Sequence, residues 1–412
     1  MLLSTCSYIP LEIPLSLGIP AKRLFLRDIA SGAESYVPRD FCPYAKGVLG
    51  YVAECARGSR RVSLAVAGSC DAMRRIADLV RVYWKDVTLY YVDVPRTSTD
   101  YAVHYYASVL KEFSLKLACE ASDRNSRGLA ETIRIMNRLR REMGGLFREA
   151  RDSSQGRPWS RAIDRLLGAN EFLASGAVFD FAKPLELSAP PQYSRGVTRE
   201  EMPGSGETRS SGKESSGVGI VGGKELPRSD EAESRRAWRP SVIVTGSLCL
   251  DRTLIWTIEE AGFKIAALDS CLGERSVNFQ IDENDPDCFH ALAEGYLRKP
   301  PCPRMLDYGR RMAYLDEMVR GVGPLMGDGV PDGLIYFVPK FCDQGYYDYV
   351  EVKRHLEGSF APVLLLEGEF GVGNSAQAKT RLAAFREMLE MRKTHRSKPG
   401  VDRKGWAVRS GS

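Results

Sequence analysis

Apolar residues along the first half of the chain recur at two spacings. RLFLRDI, RVSLAVAGS and VTLYYVDV are short, nearly continuous apolar runs bounded by Gly, Ser or Asp, as expected of strands buried on both faces. Between them, YAKGVLGYVAECARG and DAMRRIADLVRVYW place apolar residues three and four apart, the period of an amphipathic helix. Two longer helical patterns follow, DYAVHYYASVLKEFSLKLACEA and GLAETIRIMNRLRREMGGLFREA, with Lys, Arg and Glu on their opposite faces. They predict a helical cover or a partner-facing layer. Later in the chain the strand pattern returns in SVIVTGS, FKIAALDS, DGLIYFV and PVLLLEG. Helical patterns at DRTLIWTIEEAG, CFHALAEGYLR, YDYVEVKRHLEG and SAQAKTRLAAFREMLEMR alternate with these runs. Strand and helix in alternation predict an α/β protein with mostly parallel sheets. The expectation is two Rossmann-like or flavodoxin-like domains plus helical cover, the two sections being distant copies of one unit.

At 412 residues the chain exceeds the size at which one core keeps growing, so more than one domain is expected. Residues 1–183 read as the N-terminal α/β domain with its helical extension, and residues 241–392 as the C-terminal one. Between them, 184–240 is rich in Ser, Gly, Glu and Arg and poor in large apolar residues, which predicts a disordered linker or insertion. Residues 393–412 form a basic tail. The net charge of +5, from 58 basic and 53 acidic residues, is too small an excess for a nucleic-acid binder. No run approaches the roughly 18 apolar residues of a membrane span, and the opening lacks the basic start of a secretory signal, so a cytoplasmic location is expected.

Ten cysteines in such a chain point to reduced thiols rather than disulfides, with metal ligation as a leading use for some. Cys42, Cys70 and Cys342 stand apart, because each lies near a strand end and is followed by a turn former or a helix-capping residue: Pro43, Asp71 and Asp343. In open parallel sheets the crevice beyond the carboxyl ends of the strands is where ligands bind. Thiols from separate segments could meet there without any CxxC motif, and iron-sulfur clusters are held by such thiolates. Cys271 also ends a strand. The alternative is that these thiols pack as small hydrophobes, the expected role of Cys55 and Cys119 inside helices and the default for Cys6, Cys249, Cys288 and Cys302. The four histidines, His104, His290, His355 and His395, share no metal-ligand spacing and give little support to a zinc hydrolase. Structural zinc on cysteines remains a separate alternative.

FCPYAKGVLGY, AGSCDAMRRIADL, ALDSCLGERSVN, DGLIYFVPKFCDQGYYDY and PVLLLEGEFGVGNSAQAKTRLAAF, in that order, resemble the 2-hydroxyacyl-CoA dehydratase and benzoyl-CoA reductase family. The resemblance runs from CSYIPLEIPLSLGIPAKRL to the helix around Phe385 and leaves out the linker and the tail. It implies an iron-sulfur subunit carrying a 4Fe-4S cluster on Cys42, Cys70 and Cys342, with Cys271 as a further candidate. It also implies a homologous second subunit in a heterodimer, an acyl-CoA substrate, and a separate ATP-dependent iron-sulfur activator ATPase. The implied chemistry is one-electron reduction of the thioester to a ketyl radical, followed by loss of water. The absence of a GxxxxGK[ST] loop here agrees with ATP acting on that activator. Alternatives are a benzoyl-CoA reductase-type subunit, a double-cubane 8Fe reductase, or a cluster-binding electron-transfer subunit with no substrate of its own. The glycine loop GEFGVGNS, with Gly368, Gly371 and Gly373, precedes a helix start where Gln377 and Arg381 are candidates for orienting substrate or cluster. Acid and base residues are unassigned.

Overall fold

The computed structural model describes residues 1–25, 33–58, 62–119, 126–153, 158–175, 238–247, 252–321, 329–356, 362–370 and 375–396. The stretch predicted as a linker lies outside them except for 238–240, as does the predicted tail beyond 396.

Two four-stranded sheets, both wholly parallel, carry the architecture. The first contains β1 (Leu2–Ser4), β2 (Ala21–Arg23), β3 (Ser63–Ala67) and β4 (Thr88–Val92), in the order β2-β1-β3-β4. The second contains β5 (Ser241–Gly246), β6 (Lys264–Asp269), β7 (Gly333–Pro339) and β8 (Val363–Gly368), in the order β6-β5-β7-β8. Counted from its own first strand, each sheet therefore runs 2-1-3-4, which bears out the α/β expectation and repeats one unit twice. The strand order reverses between β1 and β3, and again between β5 and β7. Such reversals leave a crevice at the carboxyl ends of the strands.

Helices flank both sheets. In the first half these are α1 (Glu12–Ser16), α2 (Pro43–Arg57), α3 (Asp71–Tyr83), α4 (Asp100–Ala118), α5 (Leu129–Asp152) and α6 (Pro158–Ser175). The second half has α7 (Thr253–Glu260), α8 (Cys288–Arg298), α9 (Tyr308–Val319), α10 (Asp343–Leu356) and α11 (Ala376–Arg396). On α3, Met73, Ile76, Ala77 and Val80 form the buried stripe, so the three-and-four spacing faces the core. Burying Ile76 and Val80 contributes roughly 1.5–3 kcal/mol each. Local chemistry sets the helix starts. Pro43 opens α2, the Thr99 side chain accepts the Ala102 N–H at α4, and Asp287 accepts those of Phe289 and His290 at α8.

The structure moves one predicted strand. RLFLRDI was expected to pair, but β2 ends at Arg23, Leu24 and Phe25 are irregular, and 26–29 lie outside the described residues. The strand beside it, β1, is three residues long, fully buried, and central to its sheet. The long helices α4 and α5 bind the two halves together rather than only covering the first. α4 packs on α8, while α5 packs on α6 and reaches β6. Asn137 and Arg140 of α5 are buried in a network with Glu12, Tyr296, Ile281 and Glu283. Both sheets accordingly fall in one compact unit.

Candidate functional site

Three of the singled-out thiols stand at the mouths of helices that follow or precede the sheet ends. Cys42 is the N-cap residue of α2, Cys70 that of α3, and Cys342 immediately precedes α10. Asp71 and Asp343, expected as caps, instead occupy the first helical positions, where a carboxylate complements the helix dipole. Cys42 and Cys70 occupy the cap positions without a side-chain capping hydrogen bond. In each case a first-turn N–H group favours the thiolate: Ala45 for Cys42, Met73 for Cys70 and Gly345 for Cys342. Phe341, in the left-handed region at φ 59°, makes the turn that brings Cys342 to its helix.

Cys42, Cys70 and Cys342 line one pocket of about 920 Å³, part of it open to solvent. Its walls come from both halves: Ser4 at the end of β1 with Thr5 to Tyr8 beyond it, Ser69 beyond β3, Ser247 beyond β5, and Pro339 at the end of β7. The pocket thus lies at the switch points of both sheets. The Gln344 amide donates to the Ser69 carbonyl at 3.0 Å, tying the start of α10 to the turn that carries Cys70. Ser247 Oγ and Cys342 Sγ are 3.2 Å apart. Burial pushes the Cys42 thiol up to about 12, and Cys342 and Cys70 reinforce that shift, each disfavouring a second negative charge nearby. Burial likewise raises Cys70 and Cys342. Without a cation these thiols keep their protons.

Three more cysteines line the same pocket: Cys6, Cys271 and Cys302. Sequence reasoning named Cys271 as a candidate but left Cys6 and Cys302 to structural roles. The signal for Cys6 was its place just beyond a strand too short to recognise. For Cys302 it was a proline on either side, which holds it in an irregular segment. Cys271 Sγ lies 3.5 Å from Ser7 Oγ, and Ser7 accepts from the buried Lys299 ammonium through its carbonyl at 2.6 Å and its hydroxyl at 3.0 Å. Lys299 Nζ also stands 4.0 Å from the centre of the Tyr8 ring. Burial, with Arg23 adding to it, lowers Lys299 to about 7.

Among the described residues, no three His, Cys, Asp or Glu side chains are arranged to hold a single metal ion. The thiols surround a pocket rather than one point. Gly345 serves that arrangement, because a Cβ there would lie 2.9 Å from Val338 Cγ1 and 3.4 Å from Cys342 Sγ. Of the other candidates, Gln377 and Arg381 are exposed on α11 and are not among the pocket's lining residues. Gly368 ends β8, while Cys249, Gly371 and Gly373 lie outside the described residues. His104 and His290 face each other on α4 and α8 with ring centres 5.3 Å apart, away from the thiol pocket's lining.

A duplicated parallel α/β unit with its two crevices joined at a cysteine-lined pocket defines a class of two-sheet, thiol-centred proteins. Within it, the chain belongs to the family described as 2-hydroxyglutaryl-CoA dehydratase, D-component, whose sequence model matches residues 6–182 and 224–389. Among relatives, it is 31% identical over 150 residues to the (R)-phenyllactyl-CoA dehydratase beta subunit of Clostridium sporogenes, covering 36% of this chain and 37% of that protein. It is 28% identical over 171 residues to the lactoyl-CoA dehydratase subunit beta of Anaerotignum propionicum, covering 40% of this chain and 43% of the relative. These two alignments thus span less than half of each relative. The Escherichia coli (strain K12) protein YjiM is 21% identical over 396 residues, 93% of this chain and 90% of its own length. No helix among the described residues is long and apolar enough to cross a membrane.

Proposed function

We propose that this chain is the iron-sulfur subunit of a 2-hydroxyacyl-CoA dehydratase-type enzyme, with Cys42, Cys70 and Cys342 holding a 4Fe-4S cluster. The observation that carries the reading is that three helix-mouth thiols from both halves of the fold line one pocket. The donor set fits the group: sulfur ligands, spaced around a cavity rather than a point, each beside N–H groups that favour its anion. Bound there, the cluster would supply a single low-potential electron to an acyl-CoA thioester. The protein's own part is to hold and position. Ser247 hydrogen-bonds with Cys342, Gln344 locks the α10 start to the Cys70 turn, and the pocket walls leave the three thiols half-buried. The beta-subunit relatives support a partner subunit, and the reading further takes that partner as homologous and an ATP-dependent activator as the source of the electron.

The six-thiol lining favours a second reading, in which Cys6, Cys271 and Cys302 hold a second half of the centre and the chain is a double-cubane reductase subunit. Anaerobic purification with iron and sulfide analysis separates the two. About four irons per chain, lost in Cys42→Ala, Cys70→Ala and Cys342→Ala while Cys302→Ala keeps them, is the outcome expected of the first reading. About eight irons, with loss in Cys302→Ala as well, selects the second. A colourless protein carrying zinc overturns both.

A further inference from the structure

A second cavity shares a wall with the thiol pocket. Its sides are one stripe each from two packed helices: Met136, Leu139 and Met143 of α5, and Leu166, Ala169 and Leu173 of α6. Both stripes follow the spacing i, i+3, i+7, which puts three apolar side chains on one helix face. All are buried except Leu166, which is half-buried. The chamber between them measures about 520 Å³, part of it open to solvent, within the roughly 300–1,000 Å³ usual for small-molecule pockets. Its two methionines are flexible and adapt to the shape of a guest.

Arg23 and Phe25 lie on the walls of both cavities. Arg23 ends β2, an edge strand, and its backbone is pinned there. Its N–H donates to Asn170 Oδ1 at 2.8 Å and its carbonyl accepts from Asn170 Nδ2 at 2.9 Å, so α6 supplies the partner that the sheet edge lacks. Nη1 of its guanidinium donates to the Cys6 carbonyl at 2.9 Å, which holds the group beside the thiol pocket. A guanidinium carries several N–H donors, and among the described residues this is the one hydrogen bond that the Arg23 side chain makes. The other charged group on the chamber wall, Arg140, is spent on Glu12, on Tyr296 at 3.0 Å and on Asn137 at 3.0 Å. The chamber is thus apolar along both helices, with spare donors on the side it shares with the thiols.

We propose that the α5–α6 chamber is the subsite for a short apolar acyl tail, and that Arg23 holds the thioester carbonyl oxygen at its entrance. The inference rests on the acyl-CoA reading of the thiol pocket and deepens it by naming the substrate class: acyl thioesters with an uncharged apolar tail, in preference to two-carbon or dicarboxylic ones. Arg23 acts as a binding and specificity residue. The full chain, purified anaerobically, is titrated calorimetrically with isovaleryl-CoA, acetyl-CoA, glutaryl-CoA and CoA, none of which carries a 2-hydroxyl to lose. Iron is measured on the same samples.

Isovaleryl-CoA should bind about tenfold or more tightly than acetyl-CoA, three further buried carbons being enough for that. Glutaryl-CoA should bind no better than acetyl-CoA, because its distal carboxylate would enter the chamber without a partner. Ala169→Leu, which fills the chamber, should remove the isovaleryl advantage and leave acetyl-CoA unchanged. Arg23→Met should weaken isovaleryl-CoA and acetyl-CoA by the same factor, about tenfold, and leave CoA unchanged, with part of the loss recovered in Arg23→Lys. Equal affinities for isovaleryl-CoA and acetyl-CoA in the wild type overturn the chamber, as does an isovaleryl advantage that survives in Ala169→Leu. Should Ala169→Leu not fold, Met143→Ala, which deepens the chamber, takes its place: hexanoyl-CoA should then overtake isovaleryl-CoA, and an unchanged order overturns the subsite. An isovaleryl advantage in a protein without iron removes the cluster reading and leaves the chamber standing. Iron without that advantage does the reverse. If no CoA compound binds, the acyl-CoA reading and the chamber fall together.

Discussion

Gly345 illustrates how one missing side chain shapes the pocket. It lies in the first turn of α10, buried between Val338 of β7, Ser247 and the sulfur of Cys342. Gly345→Ala would press a methyl into Val338, and overpacking of this kind costs about 1–3 kcal/mol. The relief available is a shift of the helix start away from the strand, which carries Cys342 out of line. The expected outcome is a lower urea midpoint together with reduced iron retention, whereas Gly309→Ala, at a helical glycine with nothing within 4 Å of the added Cβ, should leave iron retention unchanged and hold or slightly raise the midpoint. A stability loss with full iron retention would show that the glycine serves packing alone. At this scale Cys42, Cys70 and Cys342 were legible in the sequence because each stands where a periodic pattern starts or stops. Cys6 and Cys302 were not. Their placement depends on which irregular segments the fold brings together, and no local pattern records that.

Among the elements, α5 does more than its amphipathic pattern announces. Asn137 donates to the Ile281 carbonyl at 2.8 Å and to Glu283 at 2.9 Å, while its carbonyl oxygen accepts the Ile281 N–H and an Arg140 N–H, both at 3.0 Å. One side chain therefore closes both backbone groups of Ile281, like an added strand partner. Asn137→Ala leaves those groups buried and unpaired, and a loss of roughly 2–4 kcal/mol is expected in denaturant unfolding. Asn137→Asp, which keeps the acceptor but turns a second carboxylate oxygen toward the Ile281 carbonyl and Glu283, should lose at least as much. A loss below about 1 kcal/mol in the alanine variant would mean that water replaces the amide. Helix α5 and most strands were readable from spacing because their burial is one-sided or complete. The strand β1 and the short helix α1 were not readable, being three and five residues long. RLFLRDI misled for the opposite reason: it has the composition of a strand, but pairing stops at Arg23.

At the scale of the whole molecule, a buried charge system joins Asp269 to Arg275, Arg311 and Asp348, behind the β5–β7 switch point. Burial alone would raise the Asp269 carboxyl, but Arg275 and Arg311 outweigh it and hold it well below the usual carboxylate range. The folded value is thus lower than the unfolded one, so the carboxylate contributes stability above pH 3.8, the ordinary Asp value, and loses it as pH falls toward the folded value. Asp269→Asn should destabilise the protein at neutral pH by about 3–5 kcal/mol, since two guanidiniums lose a buried partner. Its melting temperature should also fall less steeply than that of the wild type below pH 4. Parallel acid profiles for the two proteins would place the acid sensitivity elsewhere.

That both sheets present their switch points to a shared cavity has a mechanical consequence. In many two-lobed proteins the cleft opens and closes as the lobes swing, and binding is coupled to that swing. Here Gln344 bridges the lobes at the cavity itself, and α4 and α5 clamp them from outside. A hinge motion would pull Cys70 and Cys342 apart, spoiling the site it was meant to admit something to. Opening the cavity by a swing of the lobes would therefore have to break the Gln344 bridge and the packing of α4 and α5 together.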